Sequence, residues 1–215
     1  VDAIDPGMQG RIAEWRKSGL NIMMSEKSEA KPVSFLEDCA VELKDLAEYT
    51  DKLTAIFDRN GVKGTWYAHA SVGCLHVRPV LNMKQAGGAE TMRAIAEEAF
   101  ELVRSFGGSH SGEHGDGIVR SEFNDRMFGP VLPDLFRQVK AMFDPQGMFN
   151  PGKITDAPKM DDRELFRFAP GYEVEDFDSV LDWAAWPGAA GGFQGAVEMC
   201  NNNGCLLYTS PSPRD

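Results

Sequence analysis

The chain has 215 residues, 42% of them hydrophobic and 26% charged, and a formal net charge of −11. That size allows one sizeable domain or one and a half, with the apolar balance of an ordinary soluble globular protein. An acidic chain without a basic patch excludes non-specific binding to nucleic acid or anionic membrane, and no apolar run reaches transmembrane length.

The chain enters in mid-flow at Val1-Asp2-Ala3-Ile4 and carries no signal-peptide pattern, so its start reads as a cut. The four cysteines, Cys39, Cys74, Cys200 and Cys205, are too few and too scattered for a disulfide framework, and a reducing cytoplasm is the expected setting. Gly10–Gly19 reads as a short helix with Ile12, Trp15, Arg11, Arg16 and Lys17, and residues 21–34 read as a connection. Phe35–Leu43 reads as a buried strand. From Lys44 the set Leu46, Ala47, Leu53, Ile56 and Phe57 fits an amphipathic helix stopped by Asn60-Gly61.

Thr65–His69 and Cys74–Val80 read as a hairpin turning at Val72-Gly73, which sets His69 directly opposite His76. Arg78 then shares the face of His76, because strand side chains repeat every two residues. Pro79 marks a strand end or an edge. Glu90–Phe106 is the clearest helix, with Met92, Ile95, Ala96, Ala99, Leu102, Val103 and Phe106 on one stripe. Val131–Phe143 reads as another, with Leu132, Leu135, Phe136, Val139 and Phe143 inward; Asp144-Pro145-Gln146-Gly147 and Asn150-Pro151-Gly152-Lys153 follow as turns. Beyond residue 155 no period is sustained, and the segment reads as a linker. Cys205–Asp215 shares no pattern with what precedes it and looks like translated sequencing-adapter DNA, a non-native tail.

Between the helices lies Gly107–Gly117, where five glycines surround His110, His114, Glu113 and Asp116. So many glycines forbid stable helix or strand and let the backbone approach something bulky, which favours a site over a core; a solvent loop is the alternative. Two opposed histidines with a carboxylate from this loop suit Zn²⁺ and its first-row neighbours; two satisfied structural histidines are the other account. His114 is left over as a base that can take an alcohol proton beside a Lewis acid. Arg78 offers a fork for a carboxylate, or is an exposed strand-end charge.

Taken together, His69-Ala70-Ser71-Val72-Gly73-Cys74-Leu75-His76, Ser111-Gly112-Glu113-His114-Gly115-Asp116-Gly117, Phe143-Asp144-Pro145 and Asn150-Pro151-Gly152-Lys153 come in the order seen in FAD-linked oxidases. The chain resembles the C-terminal part of bacterial D-2-hydroxyglutarate or D-lactate dehydrogenases fused to an iron–sulfur domain. The resemblance implies an α+β fold, an antiparallel sheet covered by helices in a ferredoxin-like cap domain, truncated at both ends. It divides the chain into a substrate (cap) domain over 1–155, a linker into a truncated 4Fe–4S domain over 156–204, and the tail 205–215.

By matching motifs, His69, His76 and Glu113 take metal-ligand places and His114 that of the catalytic base. Arg16, together with Arg78, is expected at the substrate carboxylate. Asn150 falls where the family's chain touches FAD, and Cys200 where a [4Fe–4S] cluster begins. The implied reaction takes D-2-hydroxyglutarate or D-lactate to the 2-oxo acid, with electrons leaving FAD through iron–sulfur clusters to a quinone or another carrier. The implied location is the cytoplasm or the periphery of the inner membrane. The fragment alone is expected to be inactive, with most of the FAD held upstream. Many relatives read Gly-Asp-Gly-Asn where this chain has Ser71-Val72-Gly73-Cys74, and Asn at Arg78. The other classes in play are a flavin-independent metal hydrolase or lyase using His69, His76 and Glu113, and a non-catalytic electron-transfer module.

Overall fold

The computed structural model describes residues 4–24, 28–173, 179–185 and 192–198. Cys200 and Cys205 fall outside them. The chain divides into two compact units, one formed by 1–29 with 173–215 and the other by 30–172.

In the first unit, helix α1 spans Pro6–Met24, longer than the Gly10–Gly19 stretch expected from sequence, and carries Arg16. Its apolar residues Ile12 and Trp15 are exposed. A short helix, α6 (Gly192–Glu198), closes the described part of this unit.

The second unit is built on an antiparallel sheet. Strands β1 (Lys31–Pro32), β2 (Leu36–Ala40) and β3 (Gly64–His69) all pair with β4 (Cys74–Leu81), which is therefore central. Helices α2 (Leu46–Arg59) and α3 (Ala86–Ser105) supply the opposite half of the core. Each has its apolar residues at helical spacing: Tyr49, Leu53, Ile56 and Phe57 on α2, and Met92, Ile95, Ala96, Ala99, Phe100 and Val103 on α3 are buried. They meet Leu36, Leu75 and Val77 from the sheet. A fully buried side chain such as Leu53 or Ile95 contributes about 1.5–3 kcal/mol from leaving water. Because strand side chains alternate, committing Leu75 and Val77 to this core turns Cys74, His76 and Arg78 to the other face.

The hairpin register differs from the expected one. Its connection runs from Ala70 to Gly73, a 3₁₀ turn closed by Gly73 at φ +70, so His69 pairs with Cys74 and Tyr67 with His76. Gly73 is required twice over, by its left-handed backbone and because a Cβ there would lie 2.0 Å from the Val41 carbonyl. The shift is even, so His69 and His76 keep a common face as diagonal neighbours, their ring centroids 5.0 Å apart. Pro79 stands inside β4, opposite Gly64, and its carbonyl accepts from the Val33 amide.

Strand β2 carries a one-residue bulge. Leu36 pairs with Val77 and Cys39 with Leu75, so three steps on β2 match two on β4. Leu36 and Cys39 both remain in the core, and the two residues between them, Glu37 and Asp38, both turn to the histidine face.

After α3 the glycine-rich loop runs along the outer edge of β2. Ser109 and Ala40 exchange both backbone hydrogen bonds at 2.9 Å, and the Gly112 amide donates to the Asp38 carbonyl at 2.7 Å. The loop thus sits against the sheet rather than in solvent. A short helix α4 (Asn124–Phe128) leads to α5 (Val131–Phe143), whose bounds match the sequence pattern. Its expected burial does not hold: Leu132, Leu135, Val139 and Phe143 are exposed, and Pro133 is its only residue among those described that is fully buried. Phe136 packs edge-on against Phe128 at 6.2 Å. A helical period shows that a helix has two sides but not what covers the apolar one; this stripe faces away from the core between α2, α3 and the sheet.

Beyond residue 155 the chain remains part of this unit to Tyr172, with Met160 buried in the core. Among the described residues no helix is long and apolar enough to cross a membrane.

Candidate functional site

The site lies on the sheet face turned away from α2 and α3, and three of the chain's four histidines meet there on one oxygen. His76 Nε2 is 2.9 Å from Glu113 Oε1, His69 Nε2 is 3.1 Å from it, and His114 Nε2 is 3.4 Å from it. Strand β4 supplies the first, β3 the second, and the glycine-rich loop the third together with Glu113 itself. The expected trio of His69, His76 and Glu113 is therefore brought together, with His114 beside it.

His76 is the buried centre of the group. Its Nδ1 lies 2.6 Å from the carbonyl oxygen of Glu37, which can only accept, so the ring hydrogen sits on Nδ1. Its Nε2 then carries a lone pair aimed at a carboxylate oxygen that is also an acceptor. Two such atoms 2.9 Å apart need a proton on one of them or a metal ion close to both. The His114 ring lies nearly parallel to His76, centroids 4.6 Å apart, and Tyr67 lies near it at 5.9 Å. The donor atoms of Asp38, His76, Glu113 and His114 lie within 4.8 Å of one another. Two or three imidazoles with carboxylate oxygens fit a zinc-like divalent cation by donor type. His69, Glu113 and His114 are each about 40% exposed, so the cluster opens on one side.

Two residues that sequence reasoning passed over complete the site. Glu37 accepts from Arg78 Nε at 3.0 Å and Nη2 at 2.7 Å through one oxygen, while its other oxygen lies 3.7 Å from His114 Nδ1. Arg78 thus shares the face of His76, as expected, with two donors already engaged by Glu37. Asp38 is fully buried and accepts from the amides of Glu113 and His114. The available signal was an adjacent acid pair inside a segment otherwise apolar enough to be a core strand. Cys74, opposite His69, lies 3.7 Å from Asp38 Oδ1. Burial first, then the nearby carboxylates of Asp38 and Glu113, pushes its thiol up to about 12.

Two more residues were expected to serve the site, Arg16 and Asn150. Arg16 is on α1, in the first unit. Asn150 occupies the turn after α5 in the left-handed region, φ +47, and accepts from Lys153 Nζ at 3.3 Å. Ile154 and Asp156 share that unusual backbone region, with φ of +68 and +53.

Residues 3–154 match the family model of FAD linked oxidases, C-terminal domain. The chain belongs to this family. It is 32% identical over 207 residues to a D-2-hydroxyglutarate dehydrogenase of Pantoea ananatis and 34% identical over 212 residues to that of Escherichia coli. Each match covers 94% of this chain and 19% of the relative. A D-lactate dehydrogenase of Archaeoglobus fulgidus is 30% identical over 132 residues, 61% of this chain and 29% of the relative. The chain spans about a fifth of the length of the D-2-hydroxyglutarate dehydrogenases it matches. The α+β fold with an antiparallel sheet is the one the family likeness implied.

Proposed function

We propose that this chain is the substrate-side part of a flavin-dependent D-2-hydroxy-acid dehydrogenase, which oxidises D-2-hydroxyglutarate or D-lactate to the 2-oxo acid. The observation that carries the reading is the convergence of His69, His76 and His114 on Glu113 in a chain of an FAD-linked family. His69, His76 and Glu113 hold a divalent cation, zinc by the chemistry of its donors, which when bound supplies a Lewis acid for the substrate hydroxyl. FAD, held for the most part outside this chain, supplies the hydride acceptor.

The residues here do the rest. His114 takes the hydroxyl proton, as a base adjacent in sequence to a ligand and on the open side of the cluster. Arg78, steadied by Glu37, and Arg16 hold substrate carboxylates and so fix the direction of the carbinol C–H bond. Asn150 meets the flavin from its left-handed turn. The exposed apolar stripe of α5 supports this division of labour, being the kind of surface that a flavin-binding domain would cover. Cys200 belongs to the start of a [4Fe–4S] domain that carries electrons onward to a quinone or another carrier. The enzyme works in the cytoplasm or at the periphery of the inner membrane, and this chain alone is inactive.

The test is His114→Ala in the full-length enzyme, read as the rate of flavin reduction by D-2-hydroxyglutarate or D-lactate. A loss of about 10²–10⁴-fold with flavin and metal content unchanged is expected for a missing general base. Unchanged flavin reduction would remove His114 from the chemistry and favour an electron-transfer module. Turnover by this chain with metal alone would replace the reading with a hydrolase or lyase.

A further inference from the structure

A carboxylate with no exposed surface is costly to bury unless its oxygens are satisfied, and Asp38 is such a group. Its partners are unusual in kind, because all of the close ones but the Cys74 thiol, 3.7 Å from Oδ1, come from one short stretch of the glycine-rich loop. Both its oxygens lie 3.0 Å from the Glu113 amide, Oδ2 accepts the His114 amide at 2.8 Å, and Oδ2 accepts the Ser111 hydroxyl at 3.2 Å. Its own carbonyl accepts the Gly112 amide at 2.7 Å. One residue therefore binds four consecutive loop residues. Gly112 lets the loop come this close, since a Cβ there would crowd the Asp38 carbonyl, Ala40 and Cys74 at 3.1–3.2 Å. Arg120 Nη2 stands further off, 3.7 Å from Oδ2.

We infer that Asp38 is a positioning residue: it fixes the backbone of Ser111–His114, and with it the directions in which Glu113 and His114 present their side chains to His69 and His76. Asp38 is close enough to the cluster to be counted with its donors, yet its oxygens are occupied by loop N–H and O–H groups. A carboxylate accepts at about four lone-pair sites, and four donors face these oxygens: the Ser111 hydroxyl, the Glu113 and His114 amides and the Cys74 thiol. The acid thus acts through Glu113 and His114 rather than on a metal itself. The bulge in β2 makes this possible, since a regular strand would turn Asp38 into the core.

Asp38→Asn tests the assignment, because the amide keeps the shape and turns a donor toward donors. Two readouts are taken on the full chain: hydrogen exchange at the Glu113 and His114 amides without metal, and titration with Co²⁺ followed by its visible absorption. Expected are exchange at both amides faster by about tenfold or more relative to core amides of α2 and α3, and Co²⁺ binding weaker by about 10–100-fold, the usual scale for an outer-shell partner. The exchange measurement stands without the metal reading of the previous section; absence of Co²⁺ binding by the unaltered chain would count against that reading alone. Unchanged protection in Asp38→Asn overturns the assignment. So does lost Co²⁺ binding with protection intact, which would make Asp38 a direct ligand. Should Asp38→Asn not fold, Ser111→Ala removes a single donor and should speed exchange at the two amides by about two- to tenfold, the worth of one ordinary hydrogen bond; no change there also overturns it.

Discussion

His76 is held at both ends of its ring, by the Glu37 carbonyl 2.6 Å from Nδ1 and by Glu113 2.9 Å from Nε2. The first contact sets the tautomer of the neutral ring, so that the second nitrogen can serve with Glu113 as a ligand to one cation. Outer hydrogen bonds of this kind orient metal-binding histidines and raise their basicity.

Glu113→Ala should therefore lower affinity for a divalent cation by at least about tenfold, taking outer-shell effects as the lower bound. The Glu113 side chain is 41% exposed, so the fold should survive. Titration against a competing chelator, with far-UV circular dichroism as the control, reads both. Affinity unchanged in a folded variant would remove Glu113 from the metal site.

Gly73→Ala should destabilise the second unit by about 1–3 kcal/mol through backbone strain, and by more from the collision with Val41. Gly61 is the comparison, also in the left-handed region at φ +64 but with open space around it. Gly61→Ala should cost only about 1–2 kcal/mol. Urea midpoints for the two variants separate strain from collision, and equal losses would deny the close approach of the hairpin turn to Val41.

Cys39 and Cys74 are free and buried, and burial pushes their thiols up to about 11 and about 12. Neither should react with a thiol-specific disulfide reagent at pH 8 until the unit unfolds. The sign for stability follows: the unfolded thiols ionise first, so stability should fall as pH rises from about 9 through about 11 and 12. Cys39→Ala should soften that fall, as read by urea titrations across the range.

His110 is buried against Phe100, with ring centroids 5.6 Å apart, and burial lowers its affinity for protons, Arg120 adding to the effect and Asp116 opposing it. A lowered value means that the unfolded state takes up the proton first as pH drops below about 6.5, so the folded state loses stability there. His110→Phe should reduce the difference between urea midpoints at pH 7.5 and 5.5. An unchanged difference would assign the acid sensitivity to other groups.

Much of this architecture was legible because period and punctuation agree. Buried positions on α2 and α3 recur at three and four residues, and Asn60-Gly61 and Gly107-Gly108 end those helices where the pattern stops. That His69 and His76 share a face followed from the hairpin, and Glu113 and His114 stood out in the glycine-rich loop; the structure brings the four side chains together. The register was not. It depends on whether the turn closes over two residues or four, and Gly73 serves either. Glu37 and Asp38 were hidden for a related reason: strict alternation sends one of two neighbours into the core, and only the extra residue between Leu36 and Cys39 frees both. The outward stripe of α5 lay beyond sequence logic altogether, because periodicity carries no information about what stands on the other side.

The irregularity in β2 separates two kinds of inheritance on a single strand. Removing one residue between Leu36 and Cys39 would restore an even pleat and leave the interior contacts of both in place, while one acid would vanish from the opposite surface. Reactivity on that surface can therefore be gained, lost or retuned by an indel as small as one codon, with the scaffold that carries it left standing.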